Sequence, residues 1–274
     1  MHDYGFKAVF LLTATHFLFG GVTLTLASVV GQLFVMKSIG MGQSFMVGAA
    51  GVASIGFMNL SLLANTVGTY QLFKLAVIPV VLALQFLLFR QQASRNVHLT
   101  LVILLVGVAI ATVSDVQLGM LGLVYGIIAV MSTALFNIWQ GSKQKEHDVT
   151  STQLLHSIAF YQGVICLGLG LYFEEYAAEN PISQHPFTQN EILLLFMSCM
   201  FATSVNMCSM GLIGRTSPVT YQVVGHVKTC LVLAGGYLLF PVNSTGLLKN
   251  LFGVAVALVG VFLYTYVRLK ERKN

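Results

Sequence analysis

The sequence predicts an all-α, polytopic membrane bundle, and three observations carry that expectation. Hydrophobic residues make up 56% of the 274-residue chain and charged residues only 8%, far below the roughly one quarter that a water-facing domain needs. Apolar runs of about 17 to 25 residues, the length that crosses a hydrocarbon core as a helix, recur nine times. The connections are short, and 141 to 152 and 174 to 190 are the polar ones, so the reading is a single transmembrane domain over 1–274 with no soluble domain.

In chain order, the first span, 8 to 32, follows "MHDYGFK" without a convincing small-residue cleavage site and is read as a span rather than a signal peptide. The second, 45 to 64, carries Asn59, a polar group that must find a partner in the membrane. The third, 68 to 89, opens on Thr-Tyr-Gln and holds Lys74. The fourth and fifth spans are 98 to 114 and 119 to 140. The sixth, 153 to 173, contains "FYQG", which places Tyr161 and Gln162 about a turn and a half inside. The seventh, 191 to 213, carries Asn206. The eighth, 219 to 240, again opens on Thr-Tyr-Gln and holds Lys228, and the ninth, 246 to 267, leads into a basic tail.

Charge sets the expected orientation. With strictly alternating spans, ten of the fourteen Lys and Arg residues fall on one side (Lys37, Arg90, Arg95, Lys143, Lys145, Arg215 and the tail), while Lys7 and Lys249 fall on the other. That bias places the C-terminus in the cytoplasm. Asp115, Glu174, Glu175, Glu179 and Glu191 collect on the opposite side. The basic residues are dispersed rather than gathered in a patch, which argues against a nucleic-acid partner. Four cysteines inside apolar runs, with no CxxC or His/Cys cluster, argue against disulfides and metal. No catalytic motif is visible, and no cofactor is implied.

The chain echoes itself. "FMNLSLLANTVGTYQLFK" and "SVNMCSMGLIGRTSPVTYQVVGHVK" each give an Asn in one span, a short polar turn, Thr-Tyr-Gln opening the next span, and a Lys one to two turns on. Five spans separate the two openings, an odd number, so Thr69 and Thr220 start from opposite faces. This is an inverted repeat, the layout of secondary transporters whose site lies near the midplane.

Lys74 and Lys228 are the intramembrane charges, both positive, and a lysine near a helix centre is unfavourable by about 2.5 to 3.5 kcal/mol and a functional candidate by default. Counted from the span starts, Lys228 lies roughly 13 Å deep and Lys74 roughly 9 Å; the alternative for each is a side chain reaching for the interface. Helical spacing sets Tyr70 and Gln71 beside Lys74, and Tyr221 and Gly225 beside Lys228. The tyrosines offer rings and hydroxyls to a phosphate, ribose or base, or else belong to an aromatic belt. Gly225 permits close approach, and Thr229 and His226 could add hydrogen bonds. Asn59 and Asn206 serve helix-to-helix bonding or the ligand. Glycines at 168 and 170, and at 253 and 260, are expected on packing faces.

"NTVGTYQLFK", "GSKQKEHDVTSTQLLH", "TSPVTYQVVGHVKTC" followed by "GGYLLF", and "GVAVALVGVFLYTY" together resemble the triose-phosphate/nucleotide-sugar translocator branch of the drug/metabolite transporter superfamily. Within it the resemblance is to solute carrier 35 subgroup E, member 3-like proteins and plant nucleotide-sugar transporters with a Lys-Thr pair. It covers essentially the whole chain and implies ten helices in two inverted five-helix halves, repeat one at about 1–140 and repeat two at about 141–274. The chain then starts at the family's second helix, so the first is expected to be missing. The resemblance further implies exchange of a nucleotide sugar for a nucleoside monophosphate, or of a sugar phosphate for phosphate. Lys74 and Lys228 would hold phosphate, and "FYQG" falls at the family's "FYN"-type motif. Thr229 stands where plastid phosphate translocators have Arg, which favours a nucleotide sugar in the Golgi, with the endoplasmic reticulum second. The implied partners are an anionic small molecule and the lipid bilayer, with a homodimer left open. A sugar-phosphate translocator and a non-transporting membrane scaffold are the rival readings.

Overall fold

A computed structural model describes residues 8–112, 119–178, 181–239 and 247–273. The orientation assignments of Lys7, Asp115 and Glu179 lie outside those residues. Among the described residues the structure is helical, with nine long helices: α1 Val9–Val29, α2 Met41–Ala64, α3 Val67–Phe89, α4 Arg95–Thr112, α5 Met120–Glu146, α6 Ser151–Gly170, α7 Gln189–Arg215, α8 Pro218–Leu239 and α9 Leu247–Lys273. Eight are long and apolar enough to cross a membrane by length and composition. The ninth, α8, carries Gln222, His226 and Lys228.

Local chemistry sets the helix ends. Thr66 caps α3 by accepting the Thr69 N–H at 3.3 Å. Reciprocal capping boxes open α6 (Thr150 with Gln153) and α7 (Thr188 with Glu191). α3 stops where Arg90 turns left-handed at φ 55°. Two ends differ from the expected spans. α5 runs on through the polar stretch to Glu146, and α9 runs through the basic tail to Lys273. Apolar length measures the bilayer, whereas a helix continues into water while its residues favour it, here helped by the Lys143–Glu146 pair at 2.7 Å and the Arg268–Glu271 pair at 3.6 Å. α6 leaves the α-helical path at its end, continuing as one π-helical turn, Leu171–Tyr176.

The chain forms two compact units. The first comprises residues 1–56 and 139–217, and the second 57–138 and 218–274, so each draws on both halves of the sequence. α2 and α5 each contribute to both.

In the first unit α1 packs on α6 and α7. Small residues make this possible: a Cβ on Gly163 would come within 2.6 Å of Leu18, and one on Gly170 within 2.7 Å of Leu11. Gly168, expected to pack beside Gly170, instead has nothing within 4 Å, because a two-residue offset turns it about 200° around the helix. Ala8 provides no side-chain cap for α1. Glu174 of the π turn supplies one across the unit, its two carboxylate oxygens accepting the Phe10 and Leu11 N–H groups at 2.7 and 2.8 Å.

In the second unit α9 lies along α4. Gly107 faces the Ala257 backbone, Gly253 the Ala111 backbone, and Gly260 the Leu104 backbone, so this seam has no room for a Cβ. Outward-facing α4 residues Leu99, Val102 and Val106 are exposed while Leu101, Leu104 and Val108 are buried, the pattern of a helix with one face to protein and one to lipid.

Candidate functional site

Lys74 and Lys228 both belong to the second unit, on α3 and α8, two helices that pack together. Lys74 lies two turns into α3 and is half-buried, its ammonium 5.4 Å from the centre of the Tyr70 ring. That contact is the i, i+4 relation predicted for the pair. Five residues on, Pro79 stands inside the helix and removes one backbone N–H, leaving α3 one internal hydrogen bond short just beyond the lysine.

α8 has two faces. Val219, Val223, His226 and Cys230 are buried. The other stripe runs Tyr221, Gly225, Lys228 at spacings of four and three, with Tyr221 and Gly225 half-buried and Lys228 exposed. A Cβ built on Gly225 would meet nothing within 4 Å, so the space beside this stripe is open. Thr229 donates to the Gly225 carbonyl at 3.3 Å, which engages its hydroxyl on its own helix.

The charges interact. The field of Lys228 reaches Lys74, and that of Lys74 reaches the buried His226, whose Nε2 has no hydrogen-bond partner among the described residues. Glu271 is the one described carboxylate in this unit, and it is bound by Ser94 and Arg268 at the end of α9. No described carboxylate forms an ion pair with either lysine. A lysine on each of two packed helices, with no described carboxylate paired to it, makes α3 and α8 the candidate place for an anion.

The threonines of the repeated Thr-Tyr-Gln have structural partners instead. Thr69 Oγ1 lies 3.0 Å from Thr66 Oγ1, and Thr220 Oγ1 lies 2.9 Å from the Tyr264 hydroxyl on α9. Gln71 and Asn59 are half-buried in this same unit.

Tyr161, Gln162 and Asn206 belong to the first unit. Tyr161 is half-buried, its ring edge-on to Phe45 at 6.4 Å, and Asn206 is half-buried on α7. Gln162 is 1% exposed, and neither its Oε1 nor its Nε2 has a partner among the described residues. α2 meets this pair where it is smallest: a Cβ on Gly48 would sit 3.2 Å from Tyr161 Cβ and 3.5 Å from Gln162 Cγ. One turn back, the buried Ser44 hydroxyl is also unpaired. Buried polar groups without partners are uncommon and call for water or ligand. Sequence reading missed the contribution of α2 here; small residues at 44 and 48, four apart, were the available signal.

Residues 8–265 match the pattern of the Triose-phosphate Transporter family. Among similar proteins of Arabidopsis thaliana, UDP-xylose transporter 2 is 43% identical over 213 residues, which cover 78% of this chain and 60% of the relative. UDP-xylose transporter 1 is 37% identical over 266 residues, 97% of this chain and 77% of the relative. UDP-rhamnose/UDP-galactose transporter 1 is 34% identical over 272 residues, 99% of this chain and 78% of the relative. The matched stretch thus spans 60% of UDP-xylose transporter 2 and 59% of UDP-xylose transporter 3.

Proposed function

We propose, from the premise that this chain belongs to the Triose-phosphate Transporter family, that it is a nucleotide-sugar antiporter. It exchanges a nucleotide sugar, a UDP-sugar by analogy with its relatives' names, for a nucleoside monophosphate. The observation that carries this reading is the pair Lys74 and Lys228, on two packed helices and without an ion pair to any described carboxylate. The lysines bind the phosphates. Tyr70, Tyr221 and Gln71 line the approach, Gly225 leaves room for the ligand, and Thr229 and Asn59 are the further candidates of this unit for ribose, base or sugar; Tyr161, Gln162 and Asn206 are the candidates that the first unit offers by itself.

The same pair explains why exchange is coupled. When the site is empty the two ammonium groups repel, and enclosing them would also strip their water. A bound diphosphate or monophosphate neutralises them. The carrier therefore changes access only when loaded, which is alternating access with strict exchange. The membrane is that of the Golgi or endoplasmic reticulum, with the C-terminus in the cytoplasm, as the basic residues direct.

A thermal-stability screen of the purified protein tests this reading. A ligand at a hundred times its dissociation constant adds about 2.7 kcal/mol of stability. Uridine monophosphate and UDP-sugars are expected to raise the melting temperature. Stabilisation by triose phosphate and inorganic phosphate instead would favour the sugar-phosphate translocator, and no shift with any of them would favour a non-transporting scaffold.

A further inference from the structure

We propose that the second unit carries a docking surface for an anionic phospholipid headgroup, formed where α3 ends, α4 begins and α9 ends. This goes beyond the transport reading and does not depend on it. Four exposed cations gather there: Arg90, Arg95, Arg268 and Lys270. They are brought together by a polar staple. Ser94 caps α4 by accepting the Val97 N–H at 3.2 Å, and its own hydroxyl donates to Glu271 on α9. Glu271 in turn holds Arg268 at 3.6 Å. The continuation of α9 past its apolar span therefore has a defined address: it fixes Arg268 and Lys270 beside the α3–α4 corner.

On that corner Arg90 closes α3 with a left-handed backbone, and its guanidinium lies 5.8 Å from the Phe86 ring centre. Glu271 is the one described carboxylate of this unit, and it is already engaged twice, so the surface keeps a strong positive excess. Exposed apolar side chains adjoin the cations on both helices, Leu87 and Leu88 before Arg90 and Leu269 between Arg268 and Lys270. Cations bordering an apolar face match a ligand that has both a phosphate and acyl chains. A free phosphate would use only the first of these features.

The test is native mass spectrometry of the full chain in mixed micelles holding equal amounts of a phosphatidylinositol phosphate and phosphatidylcholine. The anionic lipid is expected to be retained at least tenfold over phosphatidylcholine. Replacing two surface cations in the double variant R268Q/K270Q should reduce that retention roughly 10- to 30-fold. K143Q/K145Q, which removes two cations from the first unit, should leave it unchanged. If R268Q/K270Q does not yield folded protein, R90Q/R95Q replaces it with the same expectation. The proposal is overturned by equal retention of the two lipids, by equal loss in the two double variants, or by soluble inositol phosphate displacing the lipid at equal concentration.

Discussion

Glu174→Ala should destabilise the protein through a contact spanning 163 residues of sequence. The first amides of α1 have no intrahelical acceptor, and Ala8 cannot cap them. Glu174 accepts the Phe10 and Leu11 N–H groups at 2.7 and 2.8 Å, both short and both charge-assisted. Hydrogen bonds to charged groups contribute about 1.5 to 3 kcal/mol each. Glu174 is half-buried, so water replaces part of what is lost, and roughly 2 to 3 kcal/mol in total is the reasonable expectation. For a chain of this size each kcal/mol moves the melting temperature by about 2 to 4 °C, giving a fall of about 4 to 12 °C. The assay is thermal unfolding of purified variants in one detergent. Glu174→Gln, which keeps one acceptor but no charge, should lose about half as much, and Glu146→Ala, at an exposed pair, should change little. A Glu174→Ala protein melting within a degree of wild type would refute this cap within the first unit.

Two further substitutions probe the candidate site residues. At Gly225 an added Cβ meets nothing within 4 Å, and leucine is favoured over glycine inside a helix by somewhat under 1 kcal/mol, so Gly225→Leu should melt no lower than wild type. It should lose nucleotide-induced stabilisation, because the added side chain fills the space beside Lys228; unchanged nucleotide response would remove that stripe from the site. Gln162→Met replaces a buried amide that has no described partner with an apolar side chain of similar length. The empty protein should gain about 1 to 3 kcal/mol of stability, and a fall in melting temperature would instead show that the amide is satisfied in the native protein.

Nine helices were legible because bilayer thickness imposes a minimum apolar length, and every expected span overlaps one of them and starts within a few residues of it. The overruns of α5 and α9 were not, since hydropathy falls at Lys143 and Arg268 while helix propensity does not. The π turn at Leu171–Tyr176 left no mark on the apolar pattern, and Glu174 looked like a loop acid because its partners lie more than 160 residues away in sequence. Lys74 and Lys228 were conspicuous as charges in apolar runs, and Tyr70 followed from helical spacing. Burial was harder to read. Sequence could not tell that Gln162 would be sealed without a described partner, or that Thr220 would bond to Tyr264, because these depend on which helices become neighbours.

The central claim is that Lys74 and Lys228 jointly hold the anion. Nucleotide exchange by purified Lys74→Ala and Lys228→Ala proteins in liposomes tests it most directly. Truncating one partner of a charged pair is unfavourable by about 2 to 5 kcal/mol, so each variant should exchange at least about thirtyfold more slowly at unchanged folded yield. Wild-type exchange by either folded variant would contradict the account.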